Sequence, residues 1–442
     1  MIVTYSMGYR YNFKKNKVEK MGLLSIKTQQ DDVHIFINEK LHKHKVRKYS
    51  FIPKTMLSEI DYPNDVKISL PPGEYDIKLS KEGFWDWKGK ISIGENKTTF
   101  IQTVVLFEKN VPLKLDDGDI ANIDFRNNAD MLFLKYEKAT TTLTNFHLED
   151  FNNFKIYESI GKIKYISSAN NKRILIEEEF DYLIIDPAAS ENKILLSNIL
   201  DEKLVNVKWD IKDDYKLYAI GEKSGILFEI DLISMRAIPI GIPNCQDYIV
   251  INRDDIWALE IDSQTRQTVL KKIKGHEKEI IEMFPFAKDI RFIKNNSGYL
   301  FIKDNGMDIL YIVDTFAKNV SKIKASIHCI NKFAVNNYHD KILYANDFEI
   351  WMYDLKEDKK NLITRLSSPI KNILWHKNEN YLIFSTATNI NIIEILNFGN
   401  NNYVNLVSAT EINEILLDDK ARNIYFAGSI GSQHGLYGLE LY

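Results

Sequence analysis

Ile123-Asp-Phe-Arg-Asn-Asn-Ala-Asp-Met-Leu-Phe-Leu134 and Ile290-Arg-Phe-Ile-Lys-Asn-Asn-Ser-Gly-Tyr-Leu-Phe-Ile302 are two copies of one unit. Each has an apolar strand ending on an aromatic ring, a polar turn with an Asn pair, and a second, densely apolar strand. Further copies are Val207–Trp209 with Tyr215–Ile220, Ile373–Trp375 with Tyr381–Phe384, and Ile415–Leu417 with Asn423–Phe426. Weaker ones begin near Ile163, Asp247 and Asn331. Third strands follow at Tyr182–Ile185, Ile226–Ile230, Ile256–Leu259, Ile309–Val313, Ile350–Tyr353 and Ile390–Ile395. Several end on an aspartate (Asp186, Asp231, Asp314, Asp354), where a turn into a fourth strand begins.

The repeat spacing of roughly 40 residues is that of a four-stranded propeller blade. A single blade cannot bury both faces alone, and stacking between neighbours explains middle strands that are nearly continuous apolar runs. Eight units fit between 119 and 442, and the last stops after its third strand. Val111–Leu115, just ahead of the first unit, is placed to supply the missing strand and cover an open edge. The expected fold is all-β, a small N-terminal β-sandwich followed by a C-terminal β-propeller, with eight blades favoured over seven. The repeats resemble the WD-like, TolB-like propeller class, although no Trp-Asp dipeptide recurs from unit to unit.

Composition agrees. Among 442 residues, 45% are apolar, with 23 Tyr, 23 Phe and 6 Trp, which favours strands. The 58 Lys and Arg nearly balance 61 Asp and Glu, so no field of one sign points to nucleic acid. Cys245 and Cys329 match no metal or redox spacing; a disulfide between them is open, and packing as small apolar residues is the simpler reading. No apolar run reaches signal-peptide or membrane-spanning length, which predicts a soluble chain. The basic segment 1–20 is also what would remain if an upstream membrane anchor were missing.

Residues 21–108 form the expected first domain, and 109–442 the propeller. Val33, Ile35 and Ile37 alternate at the strand period, as do Tyr75, Ile77 and Leu79 after the Pro71-Pro72-Gly73 turn. Leu70-Pro-Pro-Gly73-Glu-Tyr75-Asp-Ile77-Lys-Leu79-Ser-Lys-Glu-Gly83-Phe84, followed by Trp87 and Ile91-Ser-Ile93, resembles the second half of a PEGA domain. Gly22–Ile26 and Val33–Asn38 resemble its first half; Gln29-Gln30-Asp31-Asp32 stands where the family usually has a Pro-x-Gly-Ala type turn. PEGA domains are non-catalytic modules, mostly on the outer side of prokaryotic membranes and often just after an anchor. The resemblance therefore implies an envelope role.

The search for chemistry finds no phosphate loop, His-Glu-x-x-His, nucleophile elbow or Cys-x-x-Cys. No catalytic, cofactor or metal residue is expected. Lys40-Leu-His42-Lys-His44-Lys-Val-Arg47-Lys48 is a basic run whose two imidazoles would share a strand face, but it shows no third metal ligand; a solvated loop is the simpler reading. Trp85 and Trp87, spaced for one face, are candidates for stacking on a sugar or clamping a peptide, or for burial as a pair. Lys40, His42, His44, Trp85 and Trp87 are thus the candidate ligand contacts. Asp116-Asp117-Gly118-Asp119 reads as a polar hinge, since it lacks the later Glu of a calcium loop. Glu177–Glu179 reads as a hairpin tip, and Gly431–Gly435 as the last hairpin.

The leading functional expectation is a non-catalytic envelope scaffold whose propeller meets a protein or surface glycan, with no nucleic-acid partner. One alternative is a propeller-type hydrolase or lyase with its residues in the central channel. Another is an intracellular, cytoplasmic scaffold in the style of WD-repeat proteins.

Overall fold

The computed structural model describes residues 9–12, 17–42, 64–240, 242–252, 255–275, 277–296, 298–318, 321–328, 330–336, 338, 340–395 and 402–442. Regular structure among them is β-strand, apart from one 3₁₀ turn at Leu196–Asn198. It falls into two compact units: 1–115 with 371–432 and 437–442, and 116–370 with 433–436.

In the first unit, strand Gly22–Thr28 runs antiparallel to Asn64–Leu70 and parallel to Thr98–Val104. A second sheet orders Lys40–His42, His34–Ile37, Gly73–Ser80 and Trp87–Ile93, all antiparallel. Alternation decides what each strand buries. In Trp87–Ile93 every second residue, from Trp87 to Ile93, faces inward. These meet Leu24, Ile26, Ile68 and Ile101 of the other sheet in one core, giving the expected sandwich. Gln29–Asp32 makes no hairpin; the chain there passes from one sheet to the other. Gln30 anchors the passage, its amide donating to Leu106 O (3.0 Å) and accepting from Leu106 N (2.9 Å). A short hairpin, Tyr9–Asn12 with Lys17–Lys20, precedes the sandwich.

After residue 112 the described residues form eight four-stranded sheets. Seven are built from four consecutive strands, within 119–160, 164–195, 204–239, 245–284, 290–328, 332–365 and 372–408. The eighth takes Glu411–Leu417, Asn423–Ile430 and Gln433–Glu440, and its fourth strand is Leu113–Asp117 from far upstream. The pairing expected from Val111–Leu115 is therefore present. The acidic run that follows is not a hinge: Asp116 and Asp117 finish this strand, and Asp119 opens the next. Asp116 accepts a hydrogen bond from Asn153 (2.8 Å) and pairs with Lys135 (3.5 Å). Gly118 turns between them at φ +114°, where a Cβ would lie 2.7 Å from the Lys135 side chain.

Burial follows strand position. Second strands such as Tyr381–Ser385 are buried at every residue, whereas the fourth strand Glu277–Phe284 is mostly exposed. One tyrosine device recurs. Tyr165 donates to Asn122 O (2.6 Å) and Leu132 O (3.0 Å) of the preceding sheet. Tyr248, at the matching place two sheets on, donates to Asn206 O (2.6 Å) and Tyr218 O (2.5 Å). Both acceptor asparagines sit at a bulge with φ +51°, which frees their carbonyls from the ladder.

Within the first unit the sandwich is tied to the last two sheets. Val105 N donates to Tyr381 Oη (3.1 Å), and the Phe107 ring meets Tyr381 edge-on at 5.2 Å. Lys88 exchanges two 2.9 Å hydrogen bonds with the Asn402 amide. Glu108 N donates to Leu441 O (2.8 Å).

Candidate functional site

The residues singled out by sequence lie in different settings. Lys40 is exposed and His42 half-buried on an edge strand beside exposed Leu41; His44 and the rest of the basic run lie outside the described residues. Trp85 is 39% exposed, with Lys109 Nζ 5.1 Å from its ring centroid. Trp87 is 2% exposed, and its indole N–H donates to Glu394 Oε2 (2.9 Å). The two rings do not share a face, because the strand whose period of two would align them begins at Trp87. Asn402 is the second donor to that Glu394 oxygen (2.6 Å). Burial pushes the carboxyl up to about 7, only partly offset by these two hydrogen bonds.

Cys245 is a buried free thiol raised by that burial, and Cys329 lies outside the described residues. Glu178 accepts from Tyr157 Oη (2.8 Å) and Ser159 Oγ (2.7 Å), so the acidic hairpin tip is tied to the preceding sheet. No group of three or more metal-ligating side chains occurs among the described residues.

A pocket in the second unit gathers residues that sequence reasoning passed over. It holds about 430 Å³ and is lined by Arg126, Asn127, Asn170–Arg173, Asp186, Ala188 and Tyr215. These come from corresponding turns of three successive sheets, all at the end where first strands turn into second and third into fourth. Each turn has its own lock. Asn127 Oδ1 accepts from the Ala129 and Asp130 amides (2.7 and 2.8 Å), an Asx turn. Asn171 takes φ +58°, a conformation asparagine tolerates. Asp214, 4% exposed, accepts from the Asn170 backbone and side chain (2.8 and 3.1 Å). Burial raises the Asp214 carboxyl, but hydrogen bonds from Ser168 and Asn170 and the charge of Lys172 outweigh it, leaving it below the usual range.

Two arginines occupy the pocket differently. Arg126 is engaged: Nε and Nη2 donate to Asn171 O (3.3 and 3.1 Å), and Nη1 to Asn145 Oδ1 (3.4 Å). Arg173 stacks its guanidinium on Tyr215, 4.5 Å from the ring centroid, and its buried Nε has no hydrogen-bond partner among the described residues. Asp186 Oδ1 accepts from Ala188 N (2.9 Å). No local signal in the sequence marks these residues, because only the stacking of successive sheets brings their turns together.

Four-stranded meander sheets repeated in this way define an all-β protein with a β-propeller fold. The C-terminal WD40 domain of Sif2 matches with a TM-score of 0.51 at 12% identity, over 74% of this chain and 98% of that one. A eukaryotic initiation factor structure matches with a TM-score of 0.50 at 10% identity, over 74% and 89%. Within the N-terminal sandwich, residues 65–106 match the PEGA domain family. That match takes in the half-domain that begins near the Asn64–Leu70 strand and ends at Leu106. No curated protein matches the chain. Among the described residues no helix is long and apolar enough to cross a membrane.

Proposed function

We propose that this chain is a non-catalytic scaffold of the prokaryotic cell envelope, with the eight sheets as eight blades offering a binding face to a protein partner. The observation that carries the binding role is Arg173, held on Tyr215 in a walled pocket with donors that nothing in the described chain uses. Such an arrangement suits reception of an outside group. The envelope assignment draws on the PEGA match at 65–106, a module type associated with the outer side of membranes. On this reading residues 21–108 act as a spacer, and Trp85 is a secondary contact at its surface.

The test is protease treatment of intact cells making the full chain, combined with cross-linking. Cleavage before lysis, with cross-links to envelope proteins lost in an Arg173→Gln variant, is expected. Protection until the membrane is broken would overturn the envelope assignment.

A further inference from the structure

We infer that the Arg126–Arg173–Tyr215 pocket takes the carboxylate side chain of an acidic peptide segment, which rests on the reading of this propeller as a binding scaffold. Three cations and one carboxylate line about 430 Å³, leaving a surplus of two positive charges. Lys172 is exposed, and its ammonium makes no ion pair or hydrogen bond among the described residues. Arg173 presents a planar fork whose orientation is set by the Tyr215 ring, and a planar fork matches a planar two-oxygen acceptor. The pocket is built before a ligand arrives: Arg126 grips Asn171 O, Asp214 grips Asn170, and Asn127 closes its own turn. Little order is left to acquire on binding.

Asp186 discriminates between oxyanions. Its charge disfavours a second negative charge on the ligand, so a monoanionic carboxylate fits better than a phosphate dianion. Asp186 Oδ1 is taken by Ala188 N. Oδ2 has no donor among the described residues and can accept a peptide N–H beside the bound carboxylate. The volume is in the range of sites that enclose a ligand with its flanking atoms rather than a lone ion.

The experiment titrates the purified full chain with fluorescein-labelled hexaglutamate by anisotropy, at low and at moderate salt, with hexaglutamine and inorganic phosphate as comparators. Saturable binding of hexaglutamate that weakens with salt is expected, with none for hexaglutamine. Arg173→Gln should weaken it at least tenfold. Lys172→Gln, a change at an exposed side chain, should weaken it several-fold. Arg266→Gln, on an exposed turn of another sheet, should leave it unchanged. Absence of hexaglutamate binding, equal losses in all three variants, or displacement by phosphate at equal or lower concentration would each overturn the assignment. Those results concern the ligand alone; the scaffold reading stands or falls on the cellular protease and cross-linking result.

Discussion

Replacing Glu394 with glutamine removes a charge from a place that resists it. The side chain is 3% exposed, between Trp87 Nε1 and Asn402 Nδ2, and its carboxyl sits at about 7 against an ordinary 4.5. The folded state therefore holds this proton over a window in which the unfolded chain has lost it. Stability from this group is complete below pH 4.5 and is lost as pH rises through 7. At about 1.4 kcal/mol per pH unit, the 2.5-unit gap amounts to about 3 kcal/mol withheld from the protein above neutrality. Glutamine keeps an acceptor for Trp87 and Asn402 and carries no charge. Glu394→Gln should match the wild type near pH 4.5 and exceed it by up to about 3 kcal/mol at pH 8. Urea unfolding of both proteins at half-unit pH steps, followed by tryptophan fluorescence, reads the difference directly. A difference that stays constant across pH, or grows toward acid, would refute the reasoning.

Trp87→Phe keeps the ring in the core but removes one of two donors to Glu394, and should cost about 1–3 kcal/mol by the same unfolding assay. His376, 1% exposed and ringed by Phe107, Tyr381 and Tyr442, is held by burial below the usual imidazole range. Its stability contribution is present above pH 6.5 and falls as the unfolded chain takes up the proton, so His376→Phe should flatten the melting-temperature profile on the acid side of pH 6.5. Two truncations bear on the domain boundaries proposed above: a chain starting at residue 113 keeps the strand Leu113–Asp117, and one starting at 119 loses it. The second should melt several degrees lower, and equal melting temperatures would show that the strand contributes nothing.

Much of the fold was legible because its cause is periodic. Buried middle strands must be apolar along their length, and Tyr299–Ile302 or Tyr381–Phe384 announce that without any partner in view. The strand at Leu113–Asp117 was legible for a related reason: an eighth unit one strand short implied a donor elsewhere. Asp116–Asp119 misled because acidity and glycine suggest a hinge, whereas a strand edge tolerates both when Lys135 and Asn153 lie opposite. Trp85 and Trp87 misled because a period of two holds only inside a strand. The pocket was out of reach for a different reason. Arg126, Arg173 and Tyr215 are each ordinary turn residues, and only the stacking of successive sheets makes them neighbours. The partnership of Trp87 with Glu394 spans 307 positions, and no local pattern encodes it.

The eighth sheet joins Leu113–Asp117 to strands roughly 300 residues downstream. On a ribosome adding about 5–20 residues per second, the early strand waits roughly 15–60 s for its partners. Throughout that interval its backbone donors and acceptors are an unmet template, open to any extended segment that passes. A folding factor, or slow-codon stretches that let earlier sheets consolidate, would matter most in that interval. Point changes that lengthen the wait should therefore show first as lost yield of folded protein, before any change in the stability of the finished molecule.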